Sequence, residues 1–370
     1  MEVQSAMDQS SAHTEFPTNL RERRSNVDCA VRDSDSNQGM SKYVPDSISS
    51  GAQRLKREVN KRYELVKFQA LPEHLKDNEY IFKHYRADWP IREALGSIFT
   101  IHNETLNIWT HLLGFFVFMG LTIYTAMKMP SYGEIPGMMH HLPNFQQLRW
   151  QSVTDELTNM VAPQPQKPIS RWPFFVFLSG AMFCLLSSSI CHLLYCHSQR
   201  MANLLLKLDY IGIAYLIAAS FYPPVYYTFM CNPTLRNTYL IGITCLGLCT
   251  IAVSLMPMFQ THQFRPFRAI LFASMGISGI VPCVHKLLLH WGEPAAQTTF
   301  YLEMTMGALY GLGAVIYATR VPERWKPGHF DIAGHSHQLF HVLVVAGALT
   351  HYRAGLLYLK WRDEQGCEAM

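Results

Sequence analysis

WPFFVFLSGAMFCLLSSSICHLLY, residues 172–195, is the stretch whose reading decides the fold. It contains no Asp, Glu, Lys or Arg. A run of roughly 20 apolar residues is what an α-helix needs to cross the hydrocarbon of a bilayer. Six more runs of this kind follow or precede it, at about 108–127, 208–229, 239–259, 269–289, 298–319 and 337–357. Polar, Gly- or Pro-containing connections bound all of them. Pro223-Pro224 lies inside the third run and Pro282 inside the fifth, which membrane helices tolerate when neighbours satisfy the freed carbonyls. The pattern predicts an all-α membrane protein, a seven-transmembrane helix bundle.

Composition agrees. Of 370 residues, 49% are apolar, 12% aromatic and only 16% charged, against about a quarter charged in soluble domains. The mean hydropathy of +0.03 averages two unlike parts, a polar stretch over 1–90 and the apolar runs from Ile108 onward. A soluble globule is excluded. So is a disulfide-stapled secreted domain: there are nine cysteines in the whole chain, and Cys184, Cys191, Cys245, Cys249 and Cys283 fall in apolar runs. A net charge of +4 is too mild to indicate nucleic acid.

Four regions follow. Residues 1–52 are rich in Ser, Asp, Asn and Gln and read as a disordered cytosolic tail, with no signal peptide ahead of it. Residues 53–106 form a basic and amphipathic cytosolic segment. Its Arg54, Lys56, Arg57, Lys61, Arg62 and Lys67 suit an anionic lipid surface or a solvated helix face. Asp88 is the predicted N-cap and Pro90 the first turn of a helix. Ile91, Ala94, Leu95, Ile98 and Phe99 then share one face. Residues 107–361 hold the seven spans, with 128–171 as a long outer loop of unassigned structure. Residues 362–370 are a short outer tail. No internal repeat is present.

Lys and Arg near span ends set orientation. With the amino end inside, the inner loops carry Arg200, Lys207, Arg265, Arg268, Arg320, Arg324 and Lys326. The short outer loops carry Arg236, with Lys286 near a span end, and the outer tail dissents with Arg353, Lys360 and Arg362. The balance predicts amino end in and carboxyl end out. Two motifs then lie on the wrong side to be used. The sequon Asn103-Glu104-Thr105 faces the cytosol, and the prenylation-like Cys367-Glu368-Ala369-Met370 faces outward.

Ionisable groups inside membrane spans are costly and each needs a reason. Glu104, Asn107 and His111 lie on one face where span one begins. Ser188 and His192 share a face where span two ends, Asp209 sits at the start of span three, and His337 and His341 stand one turn apart at the start of span seven. The topology brings all four sets to one depth. A His-x3-His pair alone also arises from packing or chance. Two imidazoles one turn apart plus His192, however, make three nitrogen ligands with an open fourth position, the usual catalytic zinc arrangement. Asp209 is the candidate to orient or deprotonate a zinc-bound water, and Ser188 to hydrogen-bond a substrate carbonyl or a ligand. Glu104, Asn107 and His111 would hold the ligands or the span packing. Cys191 and Cys196 could offer thiolates instead, although buried cysteine is usually a small hydrophobe. His197, His335 and His351 read as interfacial histidines, and Glu303 as making a local hydrogen bond near the outer end of span six.

Three stretches resemble the motifs of the progestin and adipoQ receptor family. They are Ile101 through Leu112 with its Glu104-x2-Asn107-x3-His111 spacing, Ser188 through Asp209, and Val321-Pro322-Glu323-Arg324 followed by His335 through Val342. The resemblance spans about residues 75–357. The 128–171 loop and Arg171-Trp172-Pro173 look like the plant heptahelical branch. The family implies seven spans with the amino end inside, zinc on residues matching His192, His337 and His341, and an aspartate matching Asp209 on the bound water. It implies receptor signalling (hormone, sugar or stress signalling in plants). It also implies a possible activity like that of the related alkaline ceramidases, on a sphingolipid or ceramide-like membrane lipid. The long outer loop argues against an adiponectin-like protein ligand. Two functions therefore compete, a signalling receptor whose amino-terminal segment meets a cytosolic partner, and a zinc-dependent lipid amide hydrolase. A transporter would show repeated halves with broken helices, a pattern not found.

Overall fold

The computed structural model describes residues 63–128, 169–260 and 264–367. The expected disordered tail, most of the basic stretch and the 128–171 loop beyond Lys128 and before Ile169 lie outside them. Among the described residues the helices are α1 (Ile91–Gly96), α2 (Thr105–Lys128), α3 (Trp172–Leu194), α4 (Gln199–Ser220), α5 (Tyr222–Thr228), α6 (Pro233–Leu255), α7 (Arg265–Ile277), α8 (Ile280–Leu289), α9 (Pro294–Thr319) and α10 (Ser336–Gln365).

Seven spans in this set are long and apolar enough to cross a membrane. The third span is made of α4 and α5, and the fifth of α7 and α8. Both breaks have a proline cause. Proline lacks an N–H, and its ring clashes with the carbonyl four residues earlier. Pro223 follows the end of α4 at Ser220, and Pro282 follows the break at Ser278-Gly279. The protein is an integral multi-pass membrane protein.

The spans pack in a closed order. α2 lies between α3 and α10, α3 packs on α4, α4 on α6, α6 on α7, α7 on α9 and α9 on α10. The second span is the most enclosed, with 61% of its apolar window buried against 17% in the fifth and sixth spans. The core therefore sits around α3, where Phe174, Phe177, Leu178, Ala181 and Leu185 meet Phe118, Leu216, Ala348 and Tyr358. Glycine lets α3 and α4 approach closely. A Cβ on Gly180 would meet Ala219 Cβ at 2.7 Å, and one on Gly212 would meet Cys184 Cα at 3.0 Å. Lipid tails are as apolar as leucine, so such close contacts hold membrane helices together where the hydrophobic effect does not.

Ahead of the first span, residues 63–103 fold as a cap under one end of the bundle. Val66 and Tyr85 exchange backbone hydrogen bonds of 2.8 and 3.1 Å around a small core of Leu71, Leu75, Ile81 and Tyr85. The cap is tied to the loop before α10: Phe82 N–H donates to Asp331 (2.8 Å), Gly328 N–H to the Tyr80 carbonyl (2.9 Å) and Asn78 to Glu323 (3.1 Å). The short helix α1 buries Ala94 and exposes Ile91 and Leu95, and Phe99 just beyond it is exposed too. Asp88 does not cap it. Pro90 occupies that position without a side-chain bond, and Asp88 is held at φ +54°. The amphipathic segment is also shorter as an α-helix than its spacing suggests, since Ser97–Phe99 continues it as a 3-10 turn.

Two further expectations are corrected at the opposite end. Glu303 does not bond locally. It receives Lys286 Nζ and Tyr358 OH at 2.6 Å each, while Lys286 also donates to Tyr358 OH (2.6 Å) and Thr299 Oγ1 (3.1 Å). The cluster joins α8, α9 and α10, because a charge in a dry bundle persists only with a partner. His351 is not interfacial. It lies about 22 Å along α10 from Ser336, 1% exposed, with its ring against Phe177 at 4.5 Å. This end is further fastened by Arg362, which donates to the Tyr227 and Thr228 carbonyls (2.6 and 2.8 Å), and by a Cys231–Cys367 disulfide.

Candidate metal centre

His337 and His341 fall on one face of α10 because four residues make about one helical turn. His192 comes from the last turn of α3. One ligand atom from each of the three lies within 4.8 Å of the others. The ring centroids are 4.7–5.0 Å apart and the planes steeply inclined, as expected of rings turned toward a common point rather than stacked.

The other nitrogens show how the rings are held. His192 Nδ1 lies 2.8 Å from Glu104 Oε2. His341 Nδ1 lies 3.1 Å from the Asn107 carbonyl. Both partners are acceptors, so each ring in its neutral form carries its proton on Nδ1 and offers Nε2 as the ligand atom. His192 Nε2 is buried without a hydrogen-bond partner. A carboxylate or carbonyl behind an imidazole is the usual support of a metal-binding histidine. The donor set therefore fits a divalent metal with imidazole preference.

Glu104 is itself fixed by Asn107 Nδ2 (2.6 Å) and Tyr195 OH (3.0 Å). His111 makes a different contact. Its ring stacks on His341 at 3.6 Å and 9°. Ser188 on α3 lies near enough to Asp209 on α4 to act on its carboxyl. Asp209 is not part of the three-histidine group. Cys191 and Cys196 are buried free cysteines and are not in the group either. Of the flanking histidines, His335 lies 3.3 Å from the Asn103 carbonyl and His197 Nδ1 is 2.9 Å from the Trp89 carbonyl.

Sequence reasoning missed two residues that hold the ligand helices. Arg86 in the cap is buried and donates to the His192 and Leu193 carbonyls at 2.7 and 2.9 Å, closing the end of α3. A cation there also complements the helix dipole. Glu323 accepts the Ser336 N–H (2.7 Å) and the Ser336 hydroxyl at the start of α10, one residue before His337. A lone Arg in a polar stretch gives no signal, whereas Glu323 stands within a motif already singled out. A cavity of about 50 Å³ separates cap and centre, lined by Glu104, Asn107, Tyr195, His335 and His337 among others.

Comparison with known proteins decides the family. The haemolysin-III-related family model matches residues 99–352. The chain belongs to this family, the progestin and adipoQ receptor family. Heptahelical transmembrane protein 4 of Arabidopsis thaliana is 54% identical over 350 residues, covering 83% of this chain and 91% of the relative. Heptahelical transmembrane protein ADIPOR3 of Oryza sativa subsp. japonica is 50% identical over 377 residues, covering 83% and 93%. The adiponectin receptor protein of Drosophila melanogaster is 39% identical over 292 residues, covering 78% and 58%. These two plant relatives thus share more of this chain than the insect receptor does.

Proposed function

We propose that this family member is an adiponectin-receptor-like signalling receptor with zinc held by His192, His337 and His341 near the cytosolic face of the membrane. The observation that carries the proposal is the paired support of the imidazoles, Glu104 behind His192 and the Asn107 carbonyl behind His341. It ties α2, α3 and α10 to one point, so occupancy of that point biases how three spans sit. Hormone, sugar or stress signalling through a cytosolic partner of the amino-terminal segment is the output this reading assigns.

The orientation belongs to the proposal. A Cys231–Cys367 disulfide supports an oxidising compartment at the far end of the bundle. The histidine end, with the basic residues, is then cytosolic. Blocking free thiols without reductant should leave Cys231 and Cys367 unlabelled and joined; free labelling of both from the cytosolic side overturns the orientation.

The Ser188–Asp209 pair favours a second reading, a zinc-dependent hydrolase of a lipid amide such as a ceramide-like sphingolipid. Bound zinc would polarise the amide carbonyl and supply an activated water. In this reading Asp209 would hold or move a proton, Ser188 would hold Asp209 or a substrate oxygen, and Glu104 would keep the His192 tautomer. Metal analysis tests the first reading: about one zinc per chain in the wild type and little in His337→Ala/His341→Ala is the outcome foreseen. No zinc in well-folded wild type would remove both readings of the site. Asp209→Asn separates them, because a hydrolase loses turnover while retaining zinc.

A further inference from the structure

The metal centre occupies one end of α3. The other end borders a cavity of about 320 Å³, lined by Trp172, Tyr222, Tyr226, Arg236, Ile241 and Thr244 among others. Trp172 and His192 stand 20 residues apart on one helix, about 30 Å, so the two sites lie at opposite membrane surfaces. The cavity runs between α3, α5 and α6. We propose that it is a binding groove for one membrane phospholipid, with the phosphate of its headgroup on Arg236 and an acyl chain along α6.

Several observations carry this. Arg236 sits in the first turn of α6, and its guanidinium lies 4.9 Å from the centre of the Tyr226 ring. Among the described residues its hydrogen bond is from Nε to Asn237 Oδ1 (3.2 Å), and no carboxylate pairs with it. A guanidinium at a membrane boundary that meets no carboxylate among the described residues matches phosphate in charge and in bidentate geometry. Tyr222, Tyr226 and Trp172 surround it at the depth where aromatic side chains face headgroups. Below it the lining turns apolar through Leu240, Ile241 and Cys245. From Arg236 to Thr244 the groove descends about 12 Å, so head and tail of one amphiphile fit in sequence.

The walls brace one another. Tyr222 OH and Thr244 Oγ1 are 2.9 Å apart, and Trp172 meets the Tyr222 and Tyr226 rings edge-on at 5.7 and 5.4 Å. Ile241 is 62% and Trp172 46% exposed, so the groove opens sideways toward lipid. A side opening admits a lipid from its leaflet without passage through water.

The test uses the full chain in phosphatidylcholine nanodiscs with two photoactivatable probes. One is a phosphatidylcholine carrying a diazirine in its acyl chain, and the other is the matching diacylglycerol. The phospholipid should label α5 and α6 near Tyr222, Ile241 and Cys245, and the diacylglycerol should label them roughly tenfold less, as loss of a charge-assisted hydrogen bond implies. Arg236→Gln should lower phospholipid labelling similarly, Arg236→Lys should retain much of it, and Ile241→Trp should block it. Equal labelling by both probes overturns phosphate recognition, and the wild type alone decides that point. Unchanged labelling in Ile241→Trp overturns the groove, as does labelling that falls on residues 129–168, which would mean that this chain's own loop fills it.

Discussion

Glu104 is the residue whose replacement tests the proposed zinc site most directly. It accepts three hydrogen bonds, from Asn107 Nδ2 at 2.6 Å, Tyr195 OH at 3.0 Å and His192 Nδ1 at 2.8 Å. Glutamine keeps the shape and one acceptor oxygen. If that oxygen takes the Oε2 position, His192 and Asn107 keep their acceptor, and Tyr195 turns its hydroxyl to accept from the new amide. Only the negative charge behind the imidazole is then lost. The Glu104→Gln protein should therefore lie at the low end of the loss for a partner behind a metal ligand, about tenfold in affinity or about 1.4 kcal/mol. Glu104→Ala removes the acceptor altogether and frees the His192 tautomer, so about a hundredfold loss is expected. The assay is competition for zinc against a chelator of known affinity in detergent-purified protein, with thermal unfolding of the metal-free forms as the folding control. Zinc affinity unchanged in a well-folded Glu104→Ala protein would refute the reasoning, because His192 would then be held some other way or not bind.

Three further outcomes follow from the packing and the charges. Gly212→Ala should destabilise by about 1–3 kcal/mol in thermal unfolding, since its Cβ would stand 2.6 Å from Ser187 Oγ and 3.0 Å from Cys184 Cα. Gly242→Ala, in open space, should be neutral or stabilising, and equal effects would contradict the close α3–α4 contact. Lys286→Met leaves Glu303 buried without its cation and should cost about 3–5 kcal/mol. The double change Lys286→Met/Glu303→Met should recover most of that, and additive losses would count against a paired cluster. His102, ahead of the first span, is held neutral: burial, with Arg86 nearby, pushes its pKa from 6.5 down to about 4. Its Nδ1 accepts the Glu104 N–H at 3.1 Å and its Nε2 lies 3.2 Å from the Ser97 carbonyl. The unfolded chain therefore takes up the proton first, so stability falls as pH drops from 6.5 toward 4 and levels off below. His102→Asn should flatten that window in melting curves, and an unchanged slope would refute the assignment.

The sequence by itself determined the class of fold. Apolar runs of membrane-spanning length are a one-dimensional signal, because each helix satisfies its own backbone and must show lipid an apolar surface whatever its neighbours do. The depth of the polar residues was legible for the same reason: once Glu104, His192, Asp209 and His337 are assigned to span ends, helix period and topology put them at one level. The breaks at Pro223 and Pro282 are local chemistry too.

What only tertiary structure decided are the partners. His192 meets Glu104 across 88 residues of chain, Glu323 meets Asn78 across 245, and Glu303 meets Tyr358 across 55. Periodicity says which face a side chain occupies but not which helix lies opposite. The reading of Glu303 as locally bonded and of His351 as interfacial failed on that point. Arg86 escaped notice because its role depends on a cap folding back under α3, and Asp88 lost the N-cap because that cap holds its backbone at positive φ. Hydrophobic patterning is written residue by residue along the chain, while pairing of buried polar groups is set by how the helices are arranged around one another.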